Sequence, residues 1–192
     1  ADFMYLLVKS ADNAIENSFY VNPLGEKHSK SHRNLGIGTS NYAYVLAKNH
    51  FKWNSEEARR FTHELYEEIS FYAIKASIQL AKERSRCGVW KDTKWSEGLF
   101  PHELSKLSKM ESELNYPLKM DWESLRPELL KYGIRNSRIL AIAPTATSGK
   151  CINATEGVDA PRKLKTIVEG TYSLPFMVPE VRELREHYET MF

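Results

Sequence analysis

The sequence predicts an α/β fold that is rich in helix and carries a β-hairpin near its C-terminal end. Apolar residues recur with helical spacing over about 55–84, which predicts one long helix. Two β-prone runs at 165–168 and 171–176 flank Glu169-Gly170, as in a hairpin with a two-residue turn. A short apolar run at 139–143 is followed by hydroxyl residues and a second helical segment, which predicts a strand–loop–helix unit.

The composition is that of a globular domain. The chain has 192 residues, of which 42% are hydrophobic and 27% charged. A formal net charge of only +2 argues against a surface dedicated to nucleic acid. The apolar runs are too short to cross a bilayer, and the start lacks a signal-peptide pattern. We therefore expect a cytoplasmic protein with neither nucleic acid nor membrane among its partners.

Both ends of the sequence carry an unfinished helical pattern. Residues 1–192 are accordingly expected to form a single partial domain that is truncated at both termini.

The first half of the chain predicts two helices separated by a polar segment. A helix is expected at 2–20, ending before Asn22-Pro23, and a basic loop at 24–34. A short strand end at 35–39 then leads into a helix at 42–48. The expected buried face of the first helix consists of Phe3, Leu7, Ala11, Ile15 and Phe19.

The middle of the chain begins with a clear helix start. Ser55 precedes two glutamates, so it is expected to cap the long helix. Residues 86–120 are expected to be irregular, with a short helix at 106–113. Asp121 is expected to cap a helix at 122–132, which ends at Gly133. Pro127 lies inside this span, so the helix is expected either to be kinked or to begin late.

The strand–loop–helix unit has the pattern of an anion site. The apolar run Ile139–Ala143 predicts a buried strand that stops at Pro144, and a helix is expected over Gly149–Thr155. The first amides of a helix have no intrahelical acceptor, so they can bind an anion. Thr145 or Thr147 could cap this helix, and the other hydroxyls could donate to phosphate oxygens.

The segment Pro144–Lys150 does not match a Walker A loop. That motif requires glycine where Pro144 stands and serine or threonine where Cys151 stands. Phosphate binding and an ordinary polar loop between strand and helix both remain open on this pattern.

Cysteine and histidine provide no convincing catalytic or metal site. Cys87 and Cys151 lack a CxxC spacing, and no histidine or aspartate pattern around Cys87 builds a catalytic pair. Cys151 would be reactive near a helix N-terminus, but a buried, inert thiol is expected. His28 and His32 are four residues apart, but they fall in the expected basic loop. We therefore assign no catalytic residue and no metal ligand from these patterns.

Several motifs in continuous order resemble the class I ribonucleotide reductase large (alpha) subunit. They cover essentially the whole chain, and the PTATSG form is similar to phage-encoded members of the family. The motifs are Arg33–Gly38, Tyr42–Tyr44, Lys75–Ser77, Leu80–Glu83, Asp121–Glu123, Arg135–Ser137, Ala143–Ser148, Asn153–Gly157 and Pro161-Arg162.

The resemblance implies the C-terminal part of a catalytic, ten-stranded α/β barrel. It implies ribonucleoside-diphosphate reductase activity, which reduces ribonucleotides to deoxyribonucleotides for DNA synthesis by radical chemistry. By the same resemblance, the loop Pro144, Thr145, Ala146, Thr147 and Ser148 binds the substrate diphosphate. Ala146 stands where other members carry an acidic residue, so only its amide can contribute.

The resemblance also implies that the catalytic parts lie elsewhere. Neither Cys87 nor Cys151 matches the radical cysteine or the redox-active pair, so the isolated chain is expected to be inactive. The family implies as partners the remainder of the large subunit, a second large subunit in a homodimer, and a radical-generating small subunit. This segment is expected to bind no cofactor; the small subunit carries the metal and tyrosyl radical, and thioredoxin or glutaredoxin is the reductant. Allosteric ATP sites would lie before Ala1. The alternatives are a non-catalytic nucleotide- or phosphate-binding module and an inactive remnant.

Overall fold

Helices predominate in the structure. The computed structural model describes residues 2–104, 116–168 and 174–191. In chain order the elements are α1 (Asp2–Asn17), α2 (Pro23–His32), α3 (Tyr42–Lys48), α4 (Glu56–Arg84), α5 (Arg126–Tyr132), α6 (Ala146–Cys151), β1 (Lys165–Val168), β2 (Leu174–Met177) and α7 (Arg185–Glu189). Strands β1 and β2 form an antiparallel hairpin. The predicted helix-rich character and the C-terminal hairpin are therefore confirmed.

The chain divides into two compact units. The first unit contains Ala1–Ile37 and His63–Ala141, and the second contains Gly38–Thr62 and Ile142–Phe192. Within the part of the chain that the structure describes, no helix combines the length and apolar character that a membrane span needs.

Helices α3 and α4 form where local signals predict them. The Ser55 hydroxyl accepts a hydrogen bond from the amide of Ala58 (3.2 Å), which satisfies one of the free donors at the start of α4. Helix α5 begins at Arg126, the late start expected from Pro127, which a helix tolerates in its first turn. Gly133, with φ +77°, ends α5 as predicted. The helix expected at 106–113 lies outside the described residues.

The core of the first unit is built around α4. Ile78 and Leu80 of this helix are fully buried, as are Phe100, Leu129 and Ile134. Removing apolar area of this size from water stabilises a fold by roughly 1.5–3 kcal/mol for each large side chain.

The buried face of α1 differs from the prediction. Phe3 and Phe19 are 75% and 90% exposed, whereas Val8 and Asp12 are fully buried. The predicted face is wrong because Asp12 is buried in a charged hydrogen-bond network. A prediction from the spacing of apolar residues does not include charged side chains.

We call this network the Asp12 cluster; its members are Asp12, Arg33, Arg135 and Asn136. Asp12 accepts from Arg33 Nε (2.7 Å), Arg135 Nε (3.2 Å) and Asn136 Nδ2 (3.1 Å). Burial disfavours the ionised carboxylate, but the hydrogen bond from Arg33 and the charge of Arg135 outweigh it and lower the pKa of Asp12. Asp12 therefore stays charged, and α1 is tied to two distant segments of the first unit.

The segment expected to be a basic loop at 24–34 is mostly helix α2. The Asn22 side chain accepts from the amide of Leu24 (2.8 Å), and Pro23 occupies the first turn. No residue of α2 is buried, so the helix has no apolar stripe from which it could be predicted.

The second unit has a separate core at α3 and α7. Ala43, Leu46 and Ala47 of α3 are buried in a cluster with Leu184 and Tyr188. The Tyr188 hydroxyl donates to the carbonyl of Pro179 (3.0 Å). The last helix begins at Arg185, after the chain turns at 179–184.

One strand prediction requires correction, and part of another is not described by the structure. In place of a buried strand at 139–143, the described residues show one parallel bridge between Ile37 and Leu140, and Ile142 is 80% exposed. The hydrogen bonds to this segment come from residues 35–37: the amide of Ile37 donates to the carbonyl of Ile139 (2.9 Å), and the amide of Ala141 donates to the carbonyl of Ile37 (3.0 Å). In the hairpin, Val168 pairs with Leu174, and the turn predicted at Glu169-Gly170 and the strand start predicted at 171 lie outside the described residues.

Candidate functional site

The predicted anion site centres on α6, which starts earlier than expected. The helix spans Ala146–Cys151 in place of the predicted Gly149–Thr155. Thr147 and Ser148 therefore lie in its first turn, and both are exposed. Pro144 is also exposed and precedes the helix.

Three amides at the start of α6 lack an intrahelical acceptor. The first intrahelical bond runs from the Gly149 amide to the Thr145 carbonyl (2.7 Å). The amides of Ala146, Thr147 and Ser148 precede it, as at any helix start. The Ser148 hydroxyl is 3.5 Å from the Thr145 carbonyl oxygen, a marginal contact that a stronger acceptor could replace.

Thr145 holds this turn through a hydrogen bond to Gly157 that the sequence did not predict. It occupies the N-cap position but makes no side-chain cap, so the expectation that Thr145 or Thr147 caps α6 is wrong. Instead, its hydroxyl accepts from the amide of Gly157 (2.6 Å). Gly157 has φ +47°, a conformation that glycine adopts without steric cost. The loop start is thus held against a segment twelve residues downstream.

Asn41 binds the same downstream segment. Its amide donates to the Thr155 carbonyl (2.9 Å), and its side-chain Oδ1 accepts from the Thr155 amide (3.0 Å). Asn41 itself has φ 69°, which asparagine tolerates better than most residues. Its pairing role depends on a separation of more than a hundred residues, so no local signal could have revealed it.

Close packing holds α6 against residues 154–155. Gly149 is buried, and a Cβ atom there would lie 3.2 Å from the Ala154 carbonyl oxygen. Glycine at this position therefore lets the helix approach the backbone directly.

A cavity of about 500 Å³ lies beside α6 in the second unit. Ala146 and Lys150 of α6 line it, whereas Pro144, Thr145, Thr147 and Ser148 do not. The charged residues in its wall are Lys150, Arg162, Lys163, Glu156 and Asp159, three cations against two carboxylates.

Two features of this wall bear on anion binding. Lys150 forms an ion pair with Glu156 (3.1 Å), so part of the positive charge is already neutralised. Thr155 is only 2% exposed, and its hydroxyl has no hydrogen-bond partner among the described residues. A buried hydroxyl in that state costs free energy, which a ligand atom could recover.

The two cysteines differ in burial, and the expectation that Cys151 is a buried thiol is wrong. Cys87 is buried in the first unit, and burial raises the pKa of its thiol, so it stays protonated and a poor nucleophile. Cys151 is exposed on α6. Across the described ranges, no three residues among His, Cys, Asp and Glu gather as metal ligands.

Comparison with known families identifies the class of protein. The family model described as ribonucleotide reductase, barrel domain, matches residues 1–183. The chain therefore belongs to the ribonucleotide reductase barrel-domain family, which confirms the resemblance found in the motifs.

Relatives over nearly the whole chain are alpha subunits of ribonucleoside-diphosphate reductase. The chain is 37% identical over 190 residues to the subunit of Buchnera aphidicola, covering 97% of this chain and 24% of the relative. The alpha subunit of Escherichia coli ribonucleoside-diphosphate reductase 1 is 35% identical over 176 residues, which cover 90% of this chain and 23% of the relative. The alpha subunit of bacteriophage T4 is 36% identical over 186 residues, which cover 95% of this chain and 24% of the relative. The chain thus spans about a quarter of the length of these relatives.

Proposed function

We propose that the chain is part of the large subunit of a ribonucleoside-diphosphate reductase and supplies the loop that binds the substrate diphosphate. Membership of the barrel-domain family and the names of the relatives support this assignment. In the whole enzyme, the segment would form part of the ten-stranded α/β barrel.

The proposed binding residues are Pro144, Thr145, Ala146, Thr147 and Ser148. The amides of Ala146, Thr147 and Ser148 donate to phosphate oxygens, together with the exposed hydroxyls of Thr147 and Ser148. Thr145 positions the turn through its bond to Gly157 (2.6 Å). Ala146 contributes only through its backbone, because its side chain has no polar atom.

The observation that carries this proposal is the set of unpaired first-turn amides, held in place by Thr145. A rigid row of donors binds an anion without the cost of ordering a flexible loop. The additional positive charge of Arg162 and Lys163 in the neighbouring cavity would favour a phosphate ligand over a neutral one.

The radical chemistry is assigned to other parts of the enzyme. We infer that the reactive cysteines lie in the remainder of the large subunit, and that the radical comes from the metal-containing small subunit. The buried, protonated Cys87 thiol is unsuited to either role. The full enzyme would be a cytoplasmic homodimer of large subunits that is regulated by ATP and reduced by thioredoxin or glutaredoxin.

A reconstitution assay tests this function. The chain is mixed with the remaining large-subunit segments and the small subunit, and reduction of ribonucleoside diphosphates is measured. We expect activity from the mixture and none from the chain alone. Diphosphate binding without activity in a fully assembled complex would favour the non-catalytic binding module, and neither binding nor activity would favour the inactive remnant.

A further inference from the structure

Helix α2 places two histidines on one face. His28 and His32 are four residues apart, so their side chains project from adjacent turns on the same side. Their ring centroids are 3.9 Å apart, and the ring planes are inclined by 27°. In an irregular loop, a spacing of four residues would not place two side chains together. Because the segment is a helix, the same spacing does.

Hydrogen bonds hold both ends of α2, the helix that carries the two histidines. Asn22 caps the N-terminus through the amide of Leu24 (2.8 Å). At the other end, the amide of Arg33 donates to the Ser29 carbonyl (2.8 Å). The Arg33 side chain is anchored in the Asp12 cluster, which holds the C-terminal end of the helix in the first unit.

The His32 ring has one nitrogen engaged with the backbone. Its Nδ1 lies 3.1 Å from the carbonyl oxygen of His28. A carbonyl can only accept, so Nδ1 is the donor in this contact and Nε2 is the nitrogen left to face a metal ion. A ring N–H that donates to a backbone carbonyl is the usual second contact of a metal-bound histidine, because it fixes the tautomer and orients the ring.

We propose that His28 and His32 form a two-histidine site for a divalent transition-metal ion such as Ni²⁺, Cu²⁺ or Zn²⁺. Imidazole nitrogens suit these ions, and histidines at positions i and i+4 of a helix converge on one metal in known metalloproteins. Water molecules complete the coordination shell. In the described part of the chain no third His, Cys, Asp or Glu joins the pair, so the site is open and exchanges its ion readily.

The surrounding charges are compatible with a bound cation. Lys30, on the same helix, is paired with Glu26 (2.8 Å), which compensates its charge. His28 is exposed and His32 is partly exposed, so an ion reaches both rings directly from solvent.

Calorimetric titration of the 192-residue chain, without a histidine tag, with Ni²⁺ tests the site. The variants are His28→Gln and His32→Gln, and glutamine keeps a good helix propensity. His187→Gln is the matched control, since His187 also faces a second histidine, His50, with ring nitrogens 2.9 Å apart. Circular dichroism verifies that all four proteins are folded.

The wild-type chain is expected to bind one Ni²⁺ that both His28 and His32 hold. Each single variant at these positions should bind at least about tenfold more weakly, because the second ligand acts at high effective concentration. The ion should also raise the melting temperature of the wild type and of His187→Gln, but not of His28→Gln or His32→Gln. Affinities of the two α2 variants within about twofold of the wild type, or loss of binding only in His187→Gln, would overturn the proposal.

Discussion

The Asp12 cluster in the first unit and the 144–148 loop in the second unit differ in whether their polar groups have hydrogen-bond partners. The buried Asp12 carboxylate accepts hydrogen bonds from the side chains of Arg33, Arg135 and Asn136. The first-turn amides of α6 have no intrahelical acceptor, and the nearby Thr155 hydroxyl has no partner among the described residues. Satisfied polar groups hold a fold together, whereas unsatisfied ones are available to a ligand.

The largest effect is expected from Asp12→Ala. Removing the carboxylate takes a counter-charge from the buried Arg33, which keeps Glu16 (2.9 Å), and from the partly buried Arg135, so the first unit should lose up to about 3–5 kcal/mol of unfolding free energy. Denaturant unfolding followed by tryptophan fluorescence measures this loss. A Trp53→Phe background restricts the signal to the first unit, which holds the other three tryptophans.

Glu97→Gln is the control for Asp12→Ala. Glu97 pairs with Lys94 on the surface (2.8 Å), where an ion pair contributes at most about 1 kcal/mol. Equal losses in the two variants would show that the Asp12 cluster does not hold the first unit together.

The pH dependence of stability sharpens the same contrast. The folded-state pKa of Asp12 is lowered, so its contribution is fully present above the unfolded value of about 3.9 and is lost as the pH falls through the folded value. We expect Asp12→Asn to show a flatter loss of stability below about pH 4 than the wild type. Parallel curves for the two proteins would contradict the assigned pKa shift.

A smaller effect is expected from Thr145→Val. This change keeps the side-chain shape but removes the acceptor of the Gly157 amide (2.6 Å), so the second unit should lose about 1–3 kcal/mol. The fluorescence of Trp53, in variants that lack the other tryptophans, reports on this unit. Thr147→Val is the control, because Thr147 is exposed and should change stability by less than about 0.5 kcal/mol.

The smallest effect on stability, with the opposite sign, is expected from Thr155→Val. The Thr155 hydroxyl is buried and lacks a partner among the described residues, so its removal should leave stability unchanged or raise it by about 1 kcal/mol. The same Trp53 unfolding experiment measures this change. A loss above about 1 kcal/mol would mean that the hydroxyl does hold the fold, and the contrast with Asp12 would fail.

Elements with local signals were predictable from the sequence. Helix α3 has the predicted bounds, and Ser55 caps α4 as expected. In both cases the helix propensity and the apolar spacing lie within one segment and agree with one another, and for α4 the capping residue agrees as well.

Elements that depend on distant contacts were not predictable. Asp12 is buried because arginines from elsewhere in the first unit reach it, so the face of α1 was predicted wrongly. Helix α2 has no buried residue and hence no apolar pattern. In the candidate site, the hydroxyl cluster was visible, but the bond from Gly157 to Thr145 was not, because it joins residues twelve positions apart.

The most direct test of the diphosphate loop is the affinity of Thr147→Ala/Ser148→Ala for a ribonucleoside diphosphate. The chain is assembled with the remaining large-subunit segments, and binding is measured by calorimetry beside Ser10→Ala, which removes an exposed hydroxyl from α1. We expect the double variant to lose about 1–3 kcal/mol of binding free energy, because two hydrogen bonds to a charged group disappear, with stability unchanged. Wild-type affinity in the double variant would contradict the assignment of the 144–148 loop as the diphosphate site.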